Sequence, residues 1–176
     1  MKTILYNFFE RYIKMWKEFN DSEPCIPYDD SIEPILYIGT LDVDEYVQWL
    51  PKNKDVMTDF SMIEKEYNIV LNQDIKEYFN SYWFLNLQGF FKGINVFLEP
   101  VIPGKELDNF IQQLEGYYII YKELNDIPIG FEVNNNNLIV INNITGKVYL
   151  NDLERNEKKY IARSLGDFIK SISFKK

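Results

Sequence analysis

Between Ser61 and Leu98 the hydrophobic period of the chain changes from helical to alternating, and the flanking segments are arranged around that change. Ile75, Tyr78, Phe79, Tyr82 and Trp83 fall at i, i+3, i+4, i+7 and i+8, which predicts a helix with one apolar face. Asn72 stands where an N-cap would, and Asp74 suits the positive first turn. Ser61 and Glu64 have capping-box spacing, so a shorter helix with Met62, Ile63 and Tyr67 inward is expected just before it. After Trp83 the pattern becomes that of strands: Phe84 to Leu87, then Gly89 and Gly93 around Ile94 to Leu98. Upstream, Leu5, Phe8, Phe9, Tyr12, Met15, Trp16 and Phe19 predict an amphipathic helix over 3–19. Its stripe reads as core. Its polar face mixes Glu10 and Glu18 with Arg11, Lys14 and Lys17, unlike a membrane-surface helix.

Residues 20–34, broken by Pro24, Pro27 and Pro34, read as a loop. Short strands are expected at 35–38 and 46–50, followed by a polar loop from Lys52 to Thr58. A long helix from Glu106 to about Asn125 would bury Leu107, Phe110, Ile111, Leu114, Tyr118 and Tyr121. Three strands follow at 129–133, 138–141 and 147–150. Asn134 to Asn137 and Asn143 to Gly146 serve as turns, and Asp152 to Lys159 as a charged loop. Ser164 caps a last helix with Leu165, Phe168, Ile169 and Ile172 inward. Strands joined mostly by short turns imply an α+β fold: one domain over 1–176, a mostly antiparallel sheet with helices packed on it.

Composition then removes function classes. The 176 residues contain no histidine and a single cysteine, Cys25, so thiolate or imidazole metal sites and histidine-dependent nucleophilic catalysis lack their parts. No cofactor is expected. Only carboxylate, lysine or tyrosine chemistry would remain to an enzyme, and a non-enzymatic protein is the expectation. No basic leader precedes an apolar run, and no apolar run approaches about 20 residues. A cytoplasmic protein without a transmembrane segment is expected, which the lone cysteine also fits.

Charge supplies the candidate site. The net charge is −8, and Asp21 to Asp59 holds ten acidic residues against Lys52 and Lys54, so that segment alone accounts for it. Nucleic acid, which needs a basic footprint, is a poor partner, as is anionic lipid; a basic protein partner is the natural complement. The candidate partner-binding residues are Asp29, Asp30, Glu33, Asp42, Asp44, Glu45, Tyr46, Trp49, Asp55 and Asp59. Aromatics within a like-charged patch suit a protein-binding surface, although Tyr37 and Trp49 suit a core equally well. The same carboxylates could in principle hold a divalent cation or form an acid/base pair, but EF-hand spacing is absent and no spacing sets the separation that such a pair needs.

Several segments in order resemble one known family. They are Phe8 to Trp16, Pro24-Cys25-Ile26, Tyr46-Val47-Gln48-Trp49, Ile63 to Val70 running into Ile75 to Phe79, Asn143 to Val148, and Ser164 to Ile169. Together they resemble the Syd family, within the SUKH superfamily of bacterial immunity and interaction proteins, over nearly the whole length. The resemblance implies a non-enzymatic α+β binding domain with no catalytic residues to carry over. The first function it implies is a cytoplasmic immunity protein that binds and neutralises a cognate toxin. The alternative is the role of the founding Syd branch, which meets basic cytosolic loops of the SecY translocon with an acidic face.

Overall fold

A computed structural model describes residues 1–174. The chain opens with helix α1 (Lys2–Asn20), which buries Leu5, Phe8, Phe9 and Tyr12 and ends at Asp21 in the left-handed region. Phe19, at the end of the expected stripe, is 67% exposed, because the core does not extend under the last turn. Three strands follow as a small antiparallel sheet in the order β1-β3-β2: β1 (Cys25–Pro27), β2 (Tyr37–Ile38) and β3 (Tyr46–Trp49). Ile35 and Leu36, expected as strand, form with Pro34 a 3-10 turn leading into β2; proline at its start sets the φ that such a turn needs.

The central unit departs from its expected form in several places; one is its first long strand, expected at Phe84 to Leu87 and found at 87–91. Helix α2 (Ser61–Tyr67) has no reciprocal capping box. Ser61 lies inside the first turn, where its N–H and hydroxyl both donate to Asp59 at 2.9 Å, and Glu64 turns away to accept from the Leu71 N–H at 2.7 Å. Helix α3 (Gln73–Phe79) is capped by Asn72 as expected, the Asp74 N–H donating to its side chain at 3.0 Å. It stops one turn early. Tyr82 and Trp83 belong to β5 (Tyr82–Trp83), which pairs with β4 (Lys52–Asn53) in what was expected to be a loop. Both rings remain buried, so the helical spacing recorded burial but not helix length.

The main sheet is a six-stranded antiparallel meander, ordered β11-β10-β9-β8-β7-β6. It comprises β6 (Leu87–Phe91), β7 (Ile94–Leu98), β8 (Asp126–Glu132), β9 (Leu138–Asn142), β10 (Val148–Asp152) and β11 (Glu157–Ala162). The last strand falls where a charged loop was expected; at the sheet's edge its polar side chains face solvent, so it carries little hydrophobic alternation. Pro128 enters β8 at a bulge. Gly130 beside it is obligatory: a Cβ there would lie 2.2 Å from the Phe97 carbonyl oxygen.

Helix α4 (Asp108–Tyr121) buries Phe110, Leu114 and Tyr117, whereas Tyr118, expected inward, is exposed. The buried face is thus rotated from the one expected. Helix α5 (Leu165–Ser171) is capped by Ser164, as the sequence indicates. One continuous cluster of buried side chains joins α1, the central unit, the meander and α5. The architecture is α+β, with antiparallel sheets and packed helices.

The Asn143 turn does more than reverse the chain. Asn143 accepts from the Asn72 N–H at 2.8 Å and donates to the Val70 carbonyl at 2.9 Å, so the β9–β10 turn fastens the α2–α3 connection.

Candidate functional site

Strand β3 alternates strictly: Tyr46 and Gln48 point outward, Val47 and Trp49 inward. Tyr46 therefore stands on the open side of the small sheet, opposite Pro27 in the register of β1. Trp49 is 0% exposed and packs 6.2 Å from the Tyr12 ring. It belongs to the core and offers nothing to a partner. The alternation of the strand decides between the two roles that its sequence allowed.

Two acidic loops meet at the end of this sheet, joined by a hydrogen bond from the Tyr28 N–H to the Glu45 carbonyl at 2.9 Å. In the first, Asp29 accepts from the backbone and hydroxyl of Ser31, and its carbonyl accepts from the Tyr37 hydroxyl at 3.1 Å. These Ser31 hydrogen bonds, with a smaller contribution from Lys105, hold the Asp29 carboxyl below its usual range and keep it charged. The Tyr28 and Tyr37 rings lie 5.5 Å apart, tilted against each other. Asp30 and Glu33 are exposed on the same loop.

The second loop is organised by Asp42. Its carboxylate accepts from the Asp44 N–H at 2.9 Å and the Tyr46 N–H at 2.8 Å, a side-chain-closed turn. Glu45 completes the reversal with φ 62°, and Asp44 and Glu45 project into solvent. Asp42 is thus structural as well as charged.

Asp55 and Asp59 follow β4 rather than standing on the small sheet. Asp59 borders a cleft of about 380 Å³ at the α2–α3 junction, with Thr58, Gln73, Lys76 and Asn80 among its lining residues. Its hydrogen bonds to Ser61 keep it ionised. The acidic segment, contiguous in sequence, is thus spread over different elements: Asp29, Asp30, Glu33, Asp42, Asp44, Glu45 and Tyr46 stand on the small sheet and its loops, and Asp55 and Asp59 follow β4.

Sequence counting also misses cations brought in from elsewhere. Lys105 donates to the Ser31 hydroxyl at 2.6 Å, and Lys17 pairs with Glu23 at 2.6 Å. Neither was predictable from local charge, since both arrive through tertiary contacts. Among the described residues, no group of three or more Cys, Asp or Glu side chains is placed to hold a metal ion. Nor is any helix long and apolar enough to cross a membrane.

An antiparallel α+β domain with tyrosines set between two acidic loops is the class that the fold defines. Its family follows from comparison with known proteins. The family model for Syd protein (SUKH-2) matches residues 2–173. Protein Syd of Aliivibrio salmonicida (strain LFI1238) is 25% identical, over 98% of this chain and 95% of its own length. Protein Syd of Shewanella frigidimarina (strain NCIMB 400) is 26% identical, over 94% of this chain and 79% of its own. Protein Syd of Alteromonas mediterranea is 25% identical, over 93% of both chains. The chain belongs to the Syd family.

Proposed function

We propose that this Syd-family chain is a protein-binding domain that performs no chemistry of its own and docks basic cytosolic loops of the SecY translocon on its acidic small sheet. The observation that carries the reading is the convergence of Asp29, Asp30, Glu33, Asp42, Asp44 and Glu45, all exposed, on the two loops that bracket Tyr28, Tyr37 and Tyr46. Fixed carboxylates around a tyrosine-bearing strand attract a cationic peptide, and the rings give it apolar contact once it arrives. Acting there places the protein in the cytoplasm. The absence of histidine from the sequence supports a role without catalysis. Between the two roles expected from the sequence, the match to the Syd branch supports the translocon over toxin immunity.

The test is binding of the full chain to SecY complex in nanodiscs, measured beside empty nanodiscs. Saturable binding to the loaded discs, weakened at high salt, is expected. Equal binding to both would end the translocon reading, and protection against a toxin encoded beside the gene would then establish the immunity role in its place.

A further inference from the structure

Glu99 follows β7 directly and is only 4% exposed, yet among the described residues no cation faces it. Its carboxylate accepts from the Gln113 side-chain amide, and Asn109 adds a second favourable contact. The groups around it are Tyr78 from α3, Asn109 and Gln113 from α4, and Ile129 and Phe131 from β8; none of these carries a positive charge. Burial accordingly pushes the Glu99 carboxyl up. Gln113 presents a further anomaly: its amide oxygen is buried and accepts no hydrogen bond. A buried carboxylate and an idle buried acceptor side by side form a pair of acceptors short of a donor.

Both lie in an open cleft of about 360 Å³ walled by Phe97, Phe131, Pro100, Asn109 and Gln112. The two phenyl rings are packed on each other 5.2 Å apart and inclined by 30°, an aromatic wall of the kind that attracts a cation. We propose that this cleft receives the guanidinium of an arginine side chain from a partner polypeptide. A guanidinium presents five N–H donors in one plane, enough for the Glu99 carboxylate and the Gln113 oxygen together, and it stacks on aromatic rings where an ammonium does not. Among the described residues no lysine or arginine lines the cleft, so a free amino acid would leave its α-carboxylate without a counter-charge. An arginine within a chain has no such group to satisfy. The cleft belongs to β7, β8 and α4 rather than to the small sheet, so the inference stands independently of the translocon reading.

The experiment is a titration of the full 15N-labelled chain with N-acetyl-arginine-N-methylamide, followed by NMR. Shifts of the Asn109 and Gln113 side-chain amides are expected, with the lysine analogue and free arginine each at least threefold weaker. Glu99→Gln should weaken binding at least tenfold, whereas a combined Asp42→Asn, Asp44→Asn, Glu45→Gln variant binds as the native chain does. Shifts mapping elsewhere, or an undiminished affinity in Glu99→Gln, would overturn the site. Equal binding of the lysine analogue would overturn the guanidinium assignment, and equal binding of free arginine the polypeptide source. The shift map on the native chain decides the location even where a variant folds poorly.

Discussion

Glu99→Gln should make the protein more stable at neutral pH, although it removes a charge that two amides solvate. In the native chain the Gln113 amide oxygen is buried without a donor. Such a group costs about 1–3 kcal/mol. A glutamine at 99 can accept from the Gln113 amide as the glutamate does, and return an N–H to that idle oxygen. Against this gain, the charge-assisted hydrogen bond from Gln113 becomes a neutral one, a loss of about 1 kcal/mol. Relief of the uncompensated buried charge adds to the favourable side. The net expectation is about 1–2 kcal/mol, or a rise of roughly 2–8 °C in Tm for a domain of this size. The pH dependence follows from the raised pKa. The folded state holds the Glu99 proton more tightly than the unfolded chain does. The stabilising contribution of the group is therefore complete below the unfolded pKa and is lost as pH rises through the folded one. At low pH the native carboxyl can itself donate to Gln113, so the advantage of the variant should shrink there. Urea unfolding at pH 8 and at about pH 4, below the usual glutamate value, measures both. A variant less stable than the native chain at pH 8, or an advantage equal at the two pH values, would refute this account of the cleft.

Neutralising the second acidic loop with Asp42→Asn, Asp44→Asn and Glu45→Gln should slow association with a basic partner by about tenfold or more at low salt, with little change at high salt. Asparagine at 42 retains the oxygen that closes the turn, so the melting curve should barely move; an unchanged on-rate at low salt would dismiss electrostatic steering. Gly130→Ala should cost about 3 kcal/mol or more in urea unfolding, because the new Cβ would meet the Phe97 carbonyl oxygen at 2.2 Å and the Leu98 Cα at 2.9 Å, both backbone atoms. Asn143→Ala should cost about 1–3 kcal/mol, since it strands the Asn72 N–H and the Val70 carbonyl together; a neutral result would mean that water replaces the clamp. Alkaline unfolding should begin above about pH 10, where tyrosines of the unfolded chain ionise. Burial, with a smaller effect of Cys25, pushes Tyr12 up to about 12. Its contribution is therefore intact below pH 10 and lost as pH rises towards 12, at about 1.4 kcal/mol per pH unit. Tyr12→Phe should flatten that loss in thermal melts monitored by circular dichroism.

The elements legible in the sequence were those written in local physics. The stripe of α1, the side-chain caps at Asn72 and Ser164, and strand β7 each depend on residues a few positions apart. The order of segments also marked the family. Composition alone removed histidine chemistry. What the local pattern could not carry was everything decided by a distant neighbour. Tyr82 and Trp83 extend a helical stripe in spacing, yet Lys52 and Asn53 pair with them and make them strand. Strand β11 is recruited at the edge by β10, although its own side chains alternate weakly. The acidic segment shows the same division most clearly. Its charge was fixed by residue types, but which carboxylates share an element depends on the pairing of β1 with β3, which joins two loops, and of β4 with β5, after which Asp55 and Asp59 follow. The Glu99 cleft left no local signal. An acid reads as solvated in sequence, and only the packing of α4 against the meander removes its water without supplying a cation among the described residues. Secondary structure depends on neighbours along the chain, whereas burial and the fields within it depend on neighbours in space.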